Sequence, residues 1–312
     1  MTLPVCLGPI LHADRFVLVG DHYQLPPLVR NTEARRSGFD VSLFRRLCEA
    51  HPSAVVSLSH QYRMNADIMW VANELIYGHR LRCSSLAVEQ ATLALPTADR
   101  LRGAPLHPSD ASDGVCGRDG EACWTARVMA PERAVVFVDT DSLPAEETKK
   151  GDLVRNDVEV ELVAQLIGAA IMAGVPQSDI GVISPYRAQL RAILDAIKQI
   201  WPDVEVNTID RYQGRQKAFI IVSFVRANPR QAVGELLRDW RRINVALTRA
   251  EKKMVLIGSA STLSAALLFR ALIERCAQRG WISAHTAFYH YFVLIGLFVC
   301  GIVCSHAPVF AP

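Results

Sequence analysis

The sequence has no pair of cysteines at C-x-x-C spacing and no histidine pair that would complete a zinc finger or ribbon, which argues against a structural zinc site. Thiols scattered in this way favour a chain that keeps its cysteines reduced. The first residues also lack a basic stretch followed by an apolar core, so we expect no signal peptide. The eight cysteines are Cys6, Cys48, Cys83, Cys116, Cys123, Cys276, Cys300 and Cys304.

A large charge excess is missing as well. The 34 Lys and Arg residues are nearly balanced by 31 Asp and Glu residues, which leaves a net charge of +3. Total charge therefore does not identify a nucleic-acid-binding protein, and any basic groove has to come from local clustering. Hydrophobic residues make up 50% of the 312 positions and charged residues 21%. This composition excludes a disordered chain and suits two ordinary domains with a large core.

Charged residues are absent altogether from residues 281–312, where an apolar run ends the chain. Its uninterrupted apolar core is shorter than the stretch of about 20 residues that spans a bilayer. Three interpretations stay open: a translated intron or alternative exon without a selected role, a core or docking segment, and a tail anchor. We favour the first and expect no membrane association, because two histidines near the start of the run and two glycines inside it weaken an anchor.

Strand-like and helix-like patterns alternate along the chain, which predicts a parallel sheet covered by helices on both faces. Residues 83–131 are rich in Pro, Ser, Asp and Gly and are predicted to be loops and short strands. Asn156 and Gly174 are the predicted N-cap and stop of one long helix. The predicted strands are residues 15–20, 54–58, 134–138, 180–183, 204–206, 219–224 and 254–257, and the predicted helices are residues 42–49, 65–76, 157–173, 186–200 and 236–250.

Two short segments place polar side chains where they could act on a phosphate. In GDHYQLPP, Asp21 and Gln24 follow the first predicted strand, at the end where open α/β sheets bind their ligands. A carboxylate there could hold a cation or a cationic side chain, and an amide could orient a phosphate or a water, although a surface turn would look similar. In QYRM, Arg63 could form a structural ion pair or neutralise charge on a transferring phosphoryl group.

Two later segments are also rich in polar and basic groups. VNTIDRYQGRQ is a strand followed by a polar loop, in which Gly214 permits close backbone approach and Thr208 could contact a phosphate. In RRINVALTRA, helical spacing predicts that Arg242, Ala246 and Arg249 share one face. A solvated basic face is the alternative, but the apolar residues between them favour partial burial beside a site.

The ordered series GDxxQLPP, QYRM, SPYRAQ, NTIDRYQGR and NVALTRA resembles the superfamily 1 helicases of the 5′-to-3′ branch, and within it the helicase/nucleases of DNA replication and repair. The resemblance covers about residues 3–272, and five motifs in order make chance agreement remote. It implies an α/β RecA-like P-loop NTPase fold, with the end of a first motor domain in residues 1–50, a second in residues 51–280, and a tail outside the resemblance in residues 281–312.

The resemblance also implies roles for four residues around the terminal phosphate of a nucleotide. Gln24 matches the glutamine that senses the γ-phosphate. Asp21 matches the acidic residue that couples this loop to neighbouring motifs. Arg63 and Arg249 match two arginines that reach the γ-phosphate from the second motor domain. ATP and Mg²⁺ are therefore the implied cofactors.

Further residues match positions at the edge of the nucleotide or along the nucleic-acid strand. Gly214 matches a glycine beside the nucleotide. Gln216 stands where such helicases often have an acidic residue that holds the ribose, so the ribose contact is in doubt. The residues matching positions near the strand are Tyr186, Arg187 and Thr208. The implied partners are single-stranded DNA, with RNA as the alternative, and replication and repair proteins. The implied location is the nucleus, with the mitochondrion as the alternative.

Several parts of such a motor do not occur in the sequence. GxxxxGK[ST], which cradles the phosphates, and DExx, which helps to hold Mg²⁺, are both absent, as are a nuclease domain and iron–sulfur cysteines. No metal site is predicted. We expect a C-terminal fragment or isoform of a helicase that hydrolyses ATP only at background rate by itself. The alternative is a catalytically inactive module that binds single strands or partner proteins.

Overall fold

The structure is a computed structural model that describes residues 2–103 and 124–284. Its main feature is a six-stranded sheet in which every neighbouring pair is parallel, in the order β10-β3-β9-β8-β6-β7. These strands are β3 (Val135–Asp139), β6 (Ile180–Ile183), β7 (Glu205–Asn207), β8 (Lys217–Ser223), β9 (Ala250–Gly258) and β10 (Ile282–Ala284).

The central strands are apolar on both faces, which is why they form the middle of the sheet. Strands β3, β8 and β9 contain unbroken runs of buried residues, as expected for a parallel sheet covered on both sides. One hydrophobic cluster lies on each face of the sheet. The predicted RecA-like α/β fold, a parallel sheet flanked by helices, is therefore confirmed.

Helices cover the two faces as separate layers. Helices α7, α8 and α9 contribute to one cluster, and α4, α12 and α14 contribute to the other. The predicted N-cap Asn156 is confirmed, since its side chain accepts from the backbone N–H of Glu159. The helices are α1 (Leu3–Ile10), α2 (Thr32–Arg36), α3 (Leu43–Ala50), α4 (Ala66–Ala72), α5 (Leu86–Glu89), α6 (Arg100–Gly103), α7 (Trp124–Met129), α8 (Asp157–Met172), α9 (Arg187–Ile197), α10 (Ile209–Tyr212), α11 (Glu235–Arg238), α12 (Trp240–Leu247), α13 (Ala260–Leu263) and α14 (Leu267–Gln278).

Smaller elements complete the described chain. A π-helical turn, Asn73–Tyr77, continues directly from α4. Strands β1 (His60–Gln61) and β2 (Arg82–Cys83) form a short parallel pair, and β4 (Thr148–Lys150) and β5 (Leu153–Arg155) form an antiparallel hairpin. Helices α5, α6 and α7 occupy part of the region predicted to be loops and short strands, and residues 104–123 of that region lie outside the described residues.

Two predicted strands are wrong. Residues 15–20 and 54–58 contain no strand, and Val17, Val19, Val56 and Leu58 are more than four-fifths exposed. An apolar run becomes a buried strand only when neighbouring strands pair with its backbone and cover its side chains. None of the strands in the described ranges pairs with either segment.

The single helix predicted over residues 236–250 is also wrong. Asp239 separates α11 from α12, and its side chain accepts from the N–H of Arg241 at the start of the second helix. Because α12 ends at Leu247, Arg249 lies beyond the helix and does not share a helical face with Arg242.

The predicted domain boundaries stay predictions. Residues 282–284 pair with β3 as the edge strand β10, whereas residues 285–312, which carry the apolar run, lie outside the described residues. In residues 2–103 and 124–284, no helix is long and apolar enough to cross a membrane.

Candidate functional site

Asp21 organises the loop that carries Gln24. Its carboxylate accepts from the backbone N–H of Tyr23 at 2.9 Å and from the Gln24 amide Nε2 at 3.0 Å. A third donor comes from a distant part of the chain, the Tyr77 hydroxyl at 2.7 Å. The structure thus brings the predicted pair Asp21 and Gln24 together, and the carboxylate holds the amide in place.

Tyr77 connects this loop to helix α12. Besides donating to Asp21, its hydroxyl accepts from Asn244 Nδ2 at 3.0 Å, and the same amide donates to the Tyr23 carbonyl at 2.9 Å. Burial and the nearby negative charge of Asp21 raise the pKa of Tyr77, so its hydroxyl keeps the proton that it donates. A fixed chain of hydrogen bonds therefore runs from the Gln24 loop to the helix that precedes Arg249.

Arg63 is fixed from both sides by neutral acceptors. Its Nε donates to Gln216 Oε1 at 2.7 Å and its Nη1 donates to the Thr248 carbonyl at 2.8 Å. The turn before it is held by Gln61, whose side-chain oxygen accepts from the N–H groups of Arg63 and Met64. Burial lowers the pKa of Arg63, which remains a cation.

Arg249 is almost completely buried, with 2% of its surface exposed. Its guanidinium donates to the Val245 carbonyl at 2.8 Å and to the Thr248 hydroxyl at 2.8 Å, and more weakly to the Arg215 carbonyl at 3.4 Å. Burial first, and then the like charge of Arg63, lower the pKa of Arg249 to about 10. It therefore carries its charge at neutral pH at a cost in free energy.

Neither Arg63 nor Arg249 has a carboxylate partner in the described residues, although eight other side-chain ion pairs are formed there. A buried cation is normally paired, because desolvation without a counter-charge is unfavourable. Glu251 and Asp21 act on Arg63 and Arg249 only through longer-range charge, so two neighbouring guanidiniums whose hydrogen bonds all go to neutral oxygens are well suited to accept an anion. Asn244 Oδ1 lies in the same region, buried and without a hydrogen-bond partner in the described chain.

Gly214 and Gln216 lie on the exposed loop before β8. Gly214 has a φ of +82°, a left-handed conformation that favours glycine even though a Cβ there would contact nothing within 4 Å. Gln216 is exposed, and its side-chain oxygen is engaged by Arg63. Its ribose contact stays a prediction, whereas its hydrogen bond shows that it orients Arg63.

The three predicted strand-binding residues follow β6 and β7, whose carboxyl ends lie at one edge of the sheet. Arg187 is exposed at the start of α9, and Thr208 is half-buried and caps α10 by accepting from the N–H of Arg211 at 3.4 Å. Tyr186 is only 8% exposed, and its hydroxyl accepts from Arg226 Nη1 at 3.5 Å. Its buried ring packs in the core, so any effect on a bound strand would pass through its neighbours.

A buried carboxylate, which the sequence did not single out, supports this edge. Glu159 is fully buried and accepts from the Ser223 hydroxyl at 2.6 Å and, through both oxygens, from the N–H of Val225 at 3.0 Å. Burial raises the pKa of Glu159 to about 8. Val225 has a φ of +74°, which is strained for a β-branched residue and is held by this hydrogen bond.

Comparison with known proteins gives a consistent result. Residues 39–261 match the family model described as an AAA domain. The chain is similar to proteins named DNA replication ATP-dependent helicase/nuclease, with 43% identity over 280 residues in Schizosaccharomyces pombe, 45% over 284 residues in Arabidopsis thaliana and 50% over 261 residues in Mus musculus. These alignments cover 90%, 90% and 83% of this chain but only 19%, 20% and 24% of the relatives. The chain thus spans about a fifth to a quarter of the length of the curated relatives it matches.

Proposed function

The chain belongs to the AAA domain family, in the superfamily 1 group of helicases, and from this membership we propose that it forms the γ-phosphate-sensing and strand-binding part of an ATP-dependent 5′-to-3′ DNA helicase. The names of its relatives support a role in DNA replication, and we extend this role to DNA repair. We place its action on single-stranded DNA in the nucleus, with RNA and the mitochondrion as the alternatives.

The observation that carries this proposal is a pair of neighbouring arginines, Arg249 buried and Arg63 half-buried, that have no carboxylate at ion-pair distance in the described residues. Arg63 and Arg249 are held by neutral oxygens, so their positive charge is available to an anion. The hydrogen bonds through Tyr77 fix the Gln24 loop to the helix that ends just before Arg249. A γ-phosphate that contacts the two arginines would thus lie in a region that hydrogen bonds connect to the loop of Gln24.

These residues fit the terminal phosphate of ATP but do not form a complete nucleotide site. Bound ATP with Mg²⁺ would supply the phosphoryl group that is transferred to water. Arg63 and Arg249 would neutralise negative charge on its oxygens, and Gln24 would orient a phosphate oxygen or a water. In the described ranges, no cluster of three or more His, Cys, Asp or Glu side chains could hold a metal ion. Mg²⁺ ligands are therefore not assigned to any residue of this chain.

The absence of GxxxxGK[ST] leads to a prediction about activity. We expect the purified 312-residue chain to hydrolyse ATP at the background rate, with or without single-stranded DNA, because arginines stabilise only a nucleotide that is already bound and coordinated to metal. A chimera in which residues 2–284 replace the matching segment of a full-length relative is expected to show DNA-stimulated hydrolysis. A coupled ATPase assay on both proteins tests the proposal. A folded chimera that binds ATP but never exceeds background would contradict it.

A second function is favoured by the same absence. A chain without a phosphate cradle could still bind single strands through the sheet edge that carries Arg187 and Thr208, or bind partner proteins, without any hydrolysis. Fluorescence anisotropy of a labelled oligothymidine with the chain distinguishes this function from the motor function. Strand binding by the chain, combined with an inactive chimera, would favour the binding module.

A further inference from the structure

The β4–β5 hairpin places two unpaired lysines on the surface. Lys149 and Lys150 are both exposed, and neither side chain forms an ion pair or a hydrogen bond in the part of the chain that the structure describes. The hairpin turns at Gly151, whose φ is +60°, and Lys150 lies opposite Leu153, which is 61% exposed. An apolar side chain thus lies beside a free positive charge.

A buried ion pair fixes the base of this hairpin to the main sheet. Glu147, just before β4, accepts from Arg226 Nε at 2.7 Å and from the N–H of Ala227 at 3.0 Å, and its own N–H donates to the Ala227 carbonyl at 2.9 Å. The side chains of Arg226 and Glu147 are only 9% and 7% exposed. On β5, Val154 is buried in the hydrophobic core. The hairpin is therefore a supported element rather than a free loop.

This anchoring puts the lysines at the edge of the sheet where strand-binding residues were predicted. Ala227, which is hydrogen-bonded to Glu147, follows the carboxyl end of β8, the neighbour of β6 in the sheet. Strand β5 of the hairpin packs against α9, and α9 begins with Arg187. Asn228 also donates to Glu147 and leads into the loop that carries the exposed Arg230.

Basic side chains outnumber acidic ones among the exposed groups of this edge that form no ion pair. Five exposed basic residues there have no carboxylate partner in the described chain, and the exposed acids without an ion pair are Asp141, Glu146, Asp152 and Glu235. Exposed lysines and arginines along one edge are the usual electrostatic footprint of a nucleic-acid-binding surface. The five basic residues are Lys149, Lys150, Arg187, Arg211 and Arg230.

We propose that the β4–β5 hairpin is a nucleic-acid contact element, in which Lys149 and Lys150 bind phosphates of a single strand that passes along this edge. The proposal rests on the strand-binding role proposed above and extends it to an element outside the helicase motifs. Each lysine that neutralises a phosphate releases a counterion, so it contributes to the salt dependence of binding.

The test measures the affinity of the full 312-residue chain for a fluorescein-labelled 20-residue oligothymidine by anisotropy at several salt concentrations. Lys149→Ala and Lys150→Ala are each expected to make the negative slope of log association constant against log salt concentration shallower by about 0.7. Each should weaken binding roughly fivefold at 0.1 M salt. The double variant should lose about 1.4 in slope, and Lys149→Arg/Lys150→Arg should retain the original slope.

Lys198→Ala is the control, because it removes one exposed lysine just beyond the opposite end of α9, where its Nζ donates to the Pro202 carbonyl at 2.6 Å. Circular dichroism should show equal thermal stability for all variants, since the substituted side chains are exposed. If Lys198→Ala weakens binding as much as Lys150→Ala does, or if the double variant keeps the wild-type slope, the hairpin proposal is overturned while strand binding stands. If the wild-type chain does not bind the oligonucleotide, the proposed strand-binding function itself is overturned.

Discussion

Replacing Arg249 with alanine is expected to lower kcat for ATP hydrolysis about a thousandfold in a chimera that carries residues 2–284 of this chain within a full-length relative. This corresponds to a loss of about 4 kcal/mol of transition-state stabilisation. The expectation follows from a buried guanidinium that contacts only neutral oxygens in the described chain. Because Arg249 acts on charge that develops during the reaction, KM for ATP should change much less than kcat.

Arg242→Ala is the control for this effect. Arg242 lies on the adjoining helix, is more exposed and is paired with Asp210 at 3.2 Å, so its loss should alter kcat less than twofold. Circular dichroism and chemical denaturation establish that each variant folds. A folded Arg249→Ala chimera with kcat within tenfold of the parent would show that this arginine supports the fold but not the reaction.

The stabilisation that Glu159 gives the chain is expected to fall as pH rises from about 5 to about 8.5, whereas buried Lys253, whose pKa is lowered from 10.5 to about 7, contributes in the opposite direction above pH 7. The pKa of this buried carboxyl is raised from 4.5 to about 8. Between these two values the folded state binds the proton more strongly than the unfolded state does, so folding is favoured at the acidic end. The stabilisation is complete below the unfolded pKa and is lost as pH rises through the folded pKa. The expected loss is on the order of 2–4 kcal/mol.

Glu159→Gln should remove most of this dependence, since the amide imitates the protonated acid. Its oxygen can accept from Val225, and its NH₂ group can donate to the hydroxyl of Ser223. Urea denaturation at pH 5.5, 6.5, 7.5 and 8.5 measures the effect, with the exposed Glu235→Gln as the control. At pH 8.5 the Glu159→Gln variant should be more stable than the wild type. Parallel stability curves for the two proteins would contradict the assignment.

The sequence predicted the sheet well where the described strands pair with one another. Apolar runs such as residues 180–183 and 219–224 became buried parallel strands because their neighbours are present. The runs at residues 15–20 and 54–58 are also largely apolar, yet they stay exposed and unpaired in the described chain. Composition alone does not distinguish these cases, because strand formation depends on partners that are distant in sequence.

The candidate site was also predictable only in part, because some of its residues depend on contacts that are distant in sequence. Motif order indicated Gln24, Arg63 and Arg249, and the structure places Arg63 beside the turn that leads to Arg249. Tyr77 carried no local signal, since an isolated tyrosine at the end of a helical pattern looks like a core residue. Its importance depends on two hydrogen bonds to residues 56 and 167 positions away. Asn244 was the available clue, because a polar residue inside an apolar helix needs a partner.

Hydrogen–deuterium exchange of the chimera with ADP–aluminium fluoride, compared with ADP, tests most directly whether this chain senses the terminal phosphate. ADP–aluminium fluoride is expected to protect peptides containing Arg63, residues 244–251 and residues 20–25 from exchange. ADP alone is expected to protect none of these three regions. Tyr77→Phe should keep the first effect and lose the protection of residues 20–25, because it removes the hydroxyl that joins Asp21 to Asn244. Equal protection by both nucleotides, or protection of neither region, would contradict the account.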